Sequence, residues 1–394
     1  MDNYDLIVVG GGISGLSFAR RGLAQGWRTV LLEGDTHIGG CLASHRFDGA
    51  AEGYWTELAA HTAYNSYGAL LELLDADSLH RLRPRHKAPW RVWADGRPQS
   101  VFARLHWPSL IPALPRLAFT AKAGLGLRDY YSRVMGRPSY EALLRHAFSA
   151  VLAQPADDFP AALLFRKKPR RKDVPRSYTL PGGLAGLAAA VAAGCEVRSG
   201  VGVERIDREA GGFRVRAGAQ SWTGRRLALA TPAWESARLL DTAYPELALR
   251  LAQIAPAEVE SLAVVVPKER LDLPEIAGLI GIDQDFYSVV SRDVVPDARL
   301  RGFTFHFRPG RLGMAEKIER IGQVLGVRSA DLLDSAERIS RLPALRPDHA
   351  EWLAGVEQEL AGQPLALTGN YFYGVSIGDC AERSRDECAR LAGS

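Results

Sequence analysis

The first apolar run of the chain, residues 4–9 (YDLIVV), is continuous rather than alternating, which predicts a strand buried on both faces in a parallel sheet. The period then changes to that of a helix. Ile13, Leu16, Ala19 and Leu23 share one face over residues 13–26, and Gly26 ends the helix. Residues 28–33 (RTVLLE) predict the next strand, which completes a βαβ unit. From about 65 to 180 the texture changes. Helical stretches at 66–75 and 139–153 alternate with segments containing Pro and Trp, such as APWRVW and HWPSLIPALP, and the whole reads as a largely helical insertion. Short strands and turns return over 181–231. Residues 234–257 read as helical, 259–266, 278–290 and 301–307 as strands, and 313–325 and 348–361 as helices. The chain closes with a strand (PLALTG) and a helix from about Val375.

This order predicts an α/β protein whose dinucleotide-binding domain is assembled from three separated pieces, 1–64, 181–239 and 340–394. The intervening segments, 65–180 and 240–339, form an α+β substrate domain. A chain of 394 residues is long enough for two such interleaved domains. Neither charge nor composition redirects this picture. With 49 basic and 45 acidic residues the net charge is +4, too balanced to call for a nucleic-acid partner. Cys41, Cys195, Cys380 and Cys388 form no CxxC pair and no metal-ligand spacing, so no metal is expected and the thiols are read as free in a reducing cytoplasm. No secretory signal pattern precedes the first strand, and no uninterrupted apolar run reaches the length of a membrane span.

The chemistry sits at the two ends of the chain. Gly10, Gly12 and Gly15 form a GxGxxG turn between strand and helix, with Ile13 and Ser14 inside it. The glycines give a tight turn, an open approach for a pyrophosphate and close helix packing, while the helix N-terminus offers N–H groups to phosphate. Glu33 ends the second strand, placed to accept hydrogen bonds from a ribose diol and to repel a 2′-phosphate, which leaves FAD or NAD. Gly39 and Gly40 then let a loop pass close to the pyrophosphate. At the other end, ALTGNYFYGVSIGD joins a strand, a Gly-Asn corner and an aromatic patch to a helix start. A large dinucleotide gripped at both ends is how FAD is held.

Four pieces, VVGGGISGLSFA, IGGCLAS, PGGLAGLAAAVA with RRLALATPA, and LTGNYFYGVSIGDC, make the chain resemble the FAD-dependent amine-oxidase superfamily, which includes protoporphyrinogen oxidase, the flavin amine oxidases and the phytoene-desaturase-like enzymes. The last piece looks most like the protoporphyrinogen-oxidase branch. The resemblance implies a Rossmann-like, glutathione-reductase-like FAD domain. It implies that backbone at Val203 meets adenine and that Ala230 and Thr231 close over the adenosine end. Gly369 and Asn370 would lie near the pyrophosphate and ribityl chain, and Gly374, Val375 and Ser376 would face the flavin pyrimidine. Where the family often carries Arg after the glycine pair this chain has Cys41, read as a small space-filling residue or, less readily, a redox or covalent-flavin site.

Catalytic residues are not visible in the sequence. Tyr54, Trp55, Tyr371 and Tyr373 are candidates for an apolar pocket against the flavin, and Lys268 reads as a solvated turn residue. The run 166–176 (RKKPRRKDVPR) holds seven basic residues and one acid. It reads as a solvated loop or, with the apolar stretch 105–119, as a contact with an anionic membrane surface at its inner face. The expected activity is dehydrogenation of a C–N or C–C bond of an apolar or amine-containing small molecule, with reduced flavin passing electrons to oxygen or another acceptor. Two rivals stand beside it: a reductase or monooxygenase driven by NAD(P)H, and a flavoprotein that only carries electrons.

Overall fold

The structure is a computed structural model that describes residues 2–393. The first of two seven-stranded sheets has β1 (Asp2–Val9) at its centre, parallel to β2 (Thr29–Leu32) on one side and to Gln220–Leu229 on the other. Glu196–Arg198 extends it beyond β2. Leu365–Leu367 joins the C-terminal half of Gln220–Leu229, and the antiparallel strands Gly212–Ala217 and Arg205–Glu209 complete the far edge. Central position explains the unbroken apolar run: Leu6, Ile7 and Val8 are wholly buried. Helix α1 (Ile13–Ala24) and the C-terminal helix Ile377–Ala392 pack in one apolar cluster on this sheet. Ser384 Oγ donates to the Ser14 carbonyl at 2.9 Å and ties the two ends of the chain together.

The second sheet runs, in space, Asp334–Ala344, Ala255–Pro267, Leu300–Phe307, Phe286–Ser291, Gly278–Gly281, Trp90–Ala94 and Arg97–Ser100. It is antiparallel apart from the pair Gly278–Gly281 and Trp90–Ala94. Alternation along its strands gives each face a different task. Leu262, Val264, Val266, Phe303 and Phe305 form a core with Ile321, Val324 and Leu325 of helix Met314–Leu325. Ala263 and Val265 face the other way, onto Phe47, Tyr54 and Leu58 from the N-terminal part of the chain. That part includes the hairpin of β3 (Ser44–Arg46) and β4 (Trp55–Glu57). The hairpin lies flush on the sheet: a Cβ on Gly302 would come within 2.6 Å of the Thr56 side chain.

Several elements differ from the sequence reading. Residues 90–100, expected inside a helical insertion, pair into the second sheet. The edge strand Asp334–Ala344 was not predicted at all, because its alternating polar residues are those of a solvent-facing edge and carry no apolar run. The predicted strand 278–290 is two strands reversed at a turn where Asp283 has φ +52°. The predicted helix 66–75 breaks into Gly68–Leu71 and Ala76–His80, the second capped by the Asp75 carboxylate accepting from Ser78 N at 2.8 Å. The stretch 234–257 holds two helices, Ala233–Leu240 and Pro245–Leu251, and is already strand from Ala255.

Candidate cofactor and substrate site

Two glycine turns form the floor of the first site. Gly10 takes φ +105°, and a Cβ there would lie 2.8 Å from the Ala230 carbonyl oxygen. A Cβ on Gly15 would sit 1.9 Å from the Gly10 oxygen, so α1 starts hard against the end of β1. The second turn docks on the first: Gly39 N donates to Gly11 O at 2.9 Å, and a Cβ on Gly40 would come within 3.2 Å of Gly12 Cα. No side chain among the described residues caps α1 at Gly12 and no acid occupies its first turn, so the N–H groups around Ile13 and Ser14 keep their affinity for an anion. Glu33 reaches into the same corner, its carboxylate accepting from Gly11 N and, at 2.7 Å, from Asp35 N. Val201 N donates to Glu33 O at 2.8 Å, which brings the loop carrying Val203 beside that carboxylate. Ala230 N donates to Val9 O at 2.8 Å, and Thr231 Oγ1 bonds Ser236 Oγ at 2.7 Å. The cradle is open backbone with the Glu33 carboxylate at its corner, and these residues fit a dinucleotide.

The C-terminal corner is locked from behind. Thr368 N donates to Leu229 O at 3.0 Å, and a Cβ on Gly369 would strike the Tyr371 ring at 2.5 Å, so Gly369 and Asn370 turn tightly against the core. Gly374 and Val375 lead to Ser376, which caps the last helix. Ser376 Oγ donates to Asp379 Oδ2 at 2.6 Å and accepts from Asp379 N at 3.1 Å. Asp379 is in turn held by Lys168 Nζ at 2.6 Å and Arg166 Nη2 at 2.8 Å, which keep its carboxyl below the ordinary range against the effect of burial. The basic run is therefore not simply solvated: Arg166 and Lys168 bind Asp379 and Glu382, and Arg171 N donates to Asn65 O at 2.9 Å. Arg383, 1% exposed, donates to Glu357, to Leu367 O and to the Tyr373 hydroxyl, and nothing in the sequence singles it out.

The structure splits the four candidate rings. Tyr371 is wholly buried against Trp352 and Phe372 with its hydroxyl 3.3 Å from Ser236 Oγ, and Tyr373 lies half-buried on Arg383. Neither lines the recess in which Trp55 sits, because the core satisfies their hydroxyls. Tyr54 and Trp55 instead clasp the Arg292 guanidinium, 4.1 and 4.5 Å from their ring centres. Lys268 pairs with Glu275 at 3.0 Å on the surface, as a turn residue.

That recess lies where β4 meets the free face of the second sheet, with walls from Trp55–Glu57, His61, Arg85, Thr179, the strand end Val290–Arg292, and Gly302 and Thr304. Thr304 Oγ1 donates to Glu57 O at 2.8 Å and fixes β4 to the sheet. The Glu57 carboxylate accepts from Ser44 Oγ at 2.6 Å and Leu184 N at 2.7 Å, yet burial pushes its pKa up to about 7. His61 is pushed down to about 3 by burial, with Arg85 and His306 adding to the effect. His306 is also kept neutral by burial, at about 4, and bonds Ser261 Oγ at 2.9 Å. Glu57, His61, Arg85 and Arg292 all escaped the sequence reading. Glu57 is a lone charge beside apolar neighbours in YWTEL, Arg292 closes an apolar strand in YSVVSRD, and Arg85 is one of several basic residues in HRLRPRHK.

Cys41 leaves the glycine pair with a thiol whose pKa burial raises, which disfavours the thiolate. The cation missing at this position arrives from elsewhere: Arg338, on the edge strand Asp334–Ala344, donates from Nη2 to Gly40 O at 3.0 Å. Among the described residues no group of His, Cys, Asp and Glu could hold a metal ion, and no helix is long and apolar enough to cross a membrane.

The sequence model of the family described as flavin containing amine oxidoreductase matches residues 13–266. The chain belongs to this family. It is an FAD-dependent oxidoreductase, and the first sheet with its helices has the Rossmann-like FAD-binding fold of the structures it matches. Coproporphyrinogen III oxidase of Propionibacterium freudenreichii subsp. freudenreichii is 50% identical over 44 residues, 11% of this chain and 8% of that protein. Among solved structures, a provisionally assigned protoporphyrinogen oxidase from Exiguobacterium sp. 255-15 matches with TM-score 0.75 and 18% identity, over 99% of this chain and 98% of that one. Cyclohexylamine oxidase from Brevibacterium oxydans IH-35A matches with TM-score 0.72 and 14% identity, over 99% of both chains. A conjugated-linoleic-acid-producing fatty acid isomerase from P. acnes matches with TM-score 0.74 and 16% identity, over 98% of both. At these identities the structures share the fold and nothing finer.

Proposed function

We propose that this flavoenzyme dehydrogenates a C–N or C–C bond of an apolar or amine-containing small molecule. One observation carries the reading. The β3–β4 hairpin, which grows out of the Gly39–Gly40 turn, closes on the free face of the antiparallel sheet around a recess rather than leaving a flat surface. A concave recess beside the cofactor cradle favours a protein that takes a small-molecule substrate over one that only relays electrons. The residues proposed to hold FAD are Gly10, Gly12, Ile13, Ser14 and Gly15 at the pyrophosphate, Glu33 at the ribose and Val203, Ala230 and Thr231 at the adenosine. Gly39, Gly40, Cys41, Gly369, Asn370, Gly374, Val375 and Ser376 surround the remaining length. Bound FAD supplies the hydride acceptor. The chain's own work is to orient the substrate and exclude water, which matter more to hydride transfer than a strong acid or base. The Glu57 carboxyl, with a pKa of about 7, can hold or release a proton at the recess wall.

The test is anaerobic titration of the yellow protein while its visible band is followed. NADH and NADPH are expected to leave the band intact, and a substrate of the proposed kind to bleach it. Rapid bleaching by either nicotinamide would replace this reading with that of a reductase or monooxygenase.

We also propose peripheral contact with an anionic membrane surface through residues 101–119. Phe102, Ile111 and Phe119 are 69%, 63% and 89% exposed, with Trp107, Leu114 and Leu117 exposed beside them. The sequence from 96 to 128 holds five basic residues and no acid. Co-sedimentation with vesicles containing phosphatidylglycerol is expected, and is expected to fall when Phe102 and Phe119 are changed to Ser. Equal binding to neutral vesicles would remove the electrostatic half of the argument.

A further inference from the structure

Two guanidiniums face the recess; Glu57 and Asp297 lie near enough to feel the charge of Arg292, but neither is hydrogen-bonded to it among the described residues. Arg292 follows the strand Phe286–Ser291, and its guanidinium is fixed between Tyr54 and Trp55. The Tyr54 hydroxyl lies within reach of the guanidinium, but Nε and Nη1 are sealed from solvent and make no hydrogen bond of good geometry among the described residues. The nearby acids are engaged elsewhere. Asp293 is taken up by Arg301 through both oxygens and also accepts from Ile276 N at 3.0 Å. Asp297 accepts from Arg299 N at 2.9 Å and Leu300 N at 3.0 Å. Glu57 is committed to Ser44 and Leu184 and, with its raised pKa, carries only part of a charge near neutrality. Arg85 adds a second guanidinium to the same recess, and His61 contributes no countercharge.

Desolvated guanidinium N–H groups without acceptors are costly. An acceptor supplied from outside resolves the cost. The inner volume of the recess is about 20 Å³, room for about one water-sized group, such as a single carboxylate oxygen, and not for a whole substrate. We infer that the recess is an anion subsite, in which Arg292 and Arg85 receive the carboxylate head group of the substrate while its apolar body stays outside. The inference rests on the dehydrogenase reading above and narrows it. Of the substrates that reading admits, the acid-bearing ones are selected, and a simple cationic amine is repelled.

The test uses the FAD-loaded full chain with the flavin reduced anaerobically at pH 7.5, so that neither probe can pass it a hydride, and binding is followed by calorimetry. The probes, 4-phenylbutyrate and 4-phenylbutylamine, share one apolar body and differ in the sign of the head group. The carboxylate is expected to bind about tenfold or more tightly than the amine, the range of a hydrogen bond to a charged group. R292M is expected to remove that preference by weakening only the carboxylate, and R292K to keep part of it. Amine binding as tight as carboxylate binding, or an R292M protein that holds the carboxylate as well as the parent, would overturn the inference. If R292M does not fold, the two probes on the parent protein decide. Binding is measured without turnover, so its failure is separate from that of the dehydrogenase reading, which falls only if no candidate substrate reduces the flavin.

Discussion

The cofactor cradle and the recess beside it are built from opposite materials. The cradle is backbone: two glycine turns pressed together, an uncapped helix start and one carboxylate. The recess is side chains that converge from five stretches of sequence around residues 55–61, 85, 179, 290–295 and 302–304. Backbone sites need particular residues at fixed spacing, so they leave a pattern. Side-chain sites need only particular residues in space, and the spacing is set by the sheet that gathers them. The difference also predicts how each fails. A change in the cradle acts by steric exclusion, and a change at the recess acts through unbalanced charge.

The largest expected effect is on the frame of the recess. Arg301 and Asp293 are 5% and 2% exposed in their side chains and pair within the fold, with Arg301 also donating to the Leu273 and Pro274 carbonyls. R301M strands a buried carboxylate and is expected to cost about 3–5 kcal/mol in urea unfolding. R292M, nine residues away in sequence, abandons no partner acid and is expected to cost about 1 kcal/mol, mostly ring stacking. Equal losses for the two arginines would erase the distinction between a structural and a ligand-facing guanidinium.

In the cradle, G15V is expected to give a colourless protein, because no side chain fits 1.9 Å from the Gly10 oxygen without separating α1 from β1. Overpacking of this kind costs about 1–3 kcal/mol, and the ratio of visible to ultraviolet absorbance reports the lost FAD. A yellow G15V protein would show that the turn relaxes more than its packing suggests.

Glu57 sharpens the charge side of the comparison. Its folded pKa of about 7 lies above the ordinary 4.5, so the unfolded chain releases the proton first. Stability is therefore whole below about pH 4.5 and declines as pH rises through 7, by up to about 3 kcal/mol. Glutamine can accept from Leu184 N and donate to Ser44 Oγ in the same geometry. E57Q is expected to match the parent near pH 5 and to exceed it at pH 8, as read by urea midpoints. A parent and variant that stay parallel from pH 5 to 8 would mean that Glu57 is ionised in the fold.

What the sequence shows and hides follows the same division. Gly10, Gly12, Gly15 and Glu33 stand out because a strand, a turn and a helix must succeed one another without interruption, and the first sheet is read from the same signal. The second sheet is half legible. Its central strands are apolar runs, while Trp90–Ala94 hides among prolines and Asp334–Ala344 hides in its polarity. Tyr371 and Tyr373 attract attention as aromatic residues beside the cofactor corner, but their hydroxyls are spent on Ser236 and Arg383. Arg292 attracts none, because one arginine after an apolar strand resembles any strand end until Tyr54 and Trp55, more than two hundred residues earlier, are seen to enclose it.

The smallest predicted effect lies where the two regions touch. Cys41 withholds the cation that the family often places after the glycine pair, and Arg338 brings a guanidinium to the adjoining carbonyl of Gly40 from a strand of the second sheet. The contact is a single hydrogen bond on a half-exposed side chain, whose loss costs about 1 kcal/mol. R338M is therefore expected to weaken FAD binding about fivefold, in dialysis of the apoprotein against FAD, through a looser Gly39–Gly40 turn. If the role of Arg338 is to supply the absent charge, C41R in the R338M background should restore the affinity. If its role is only to brace the turn, C41R should restore nothing, since a side chain at position 41 does not reach the Gly40 carbonyl from the second sheet. Unchanged affinity in R338M itself would leave the cradle built from backbone and Glu33, with the second sheet contributing nothing to it.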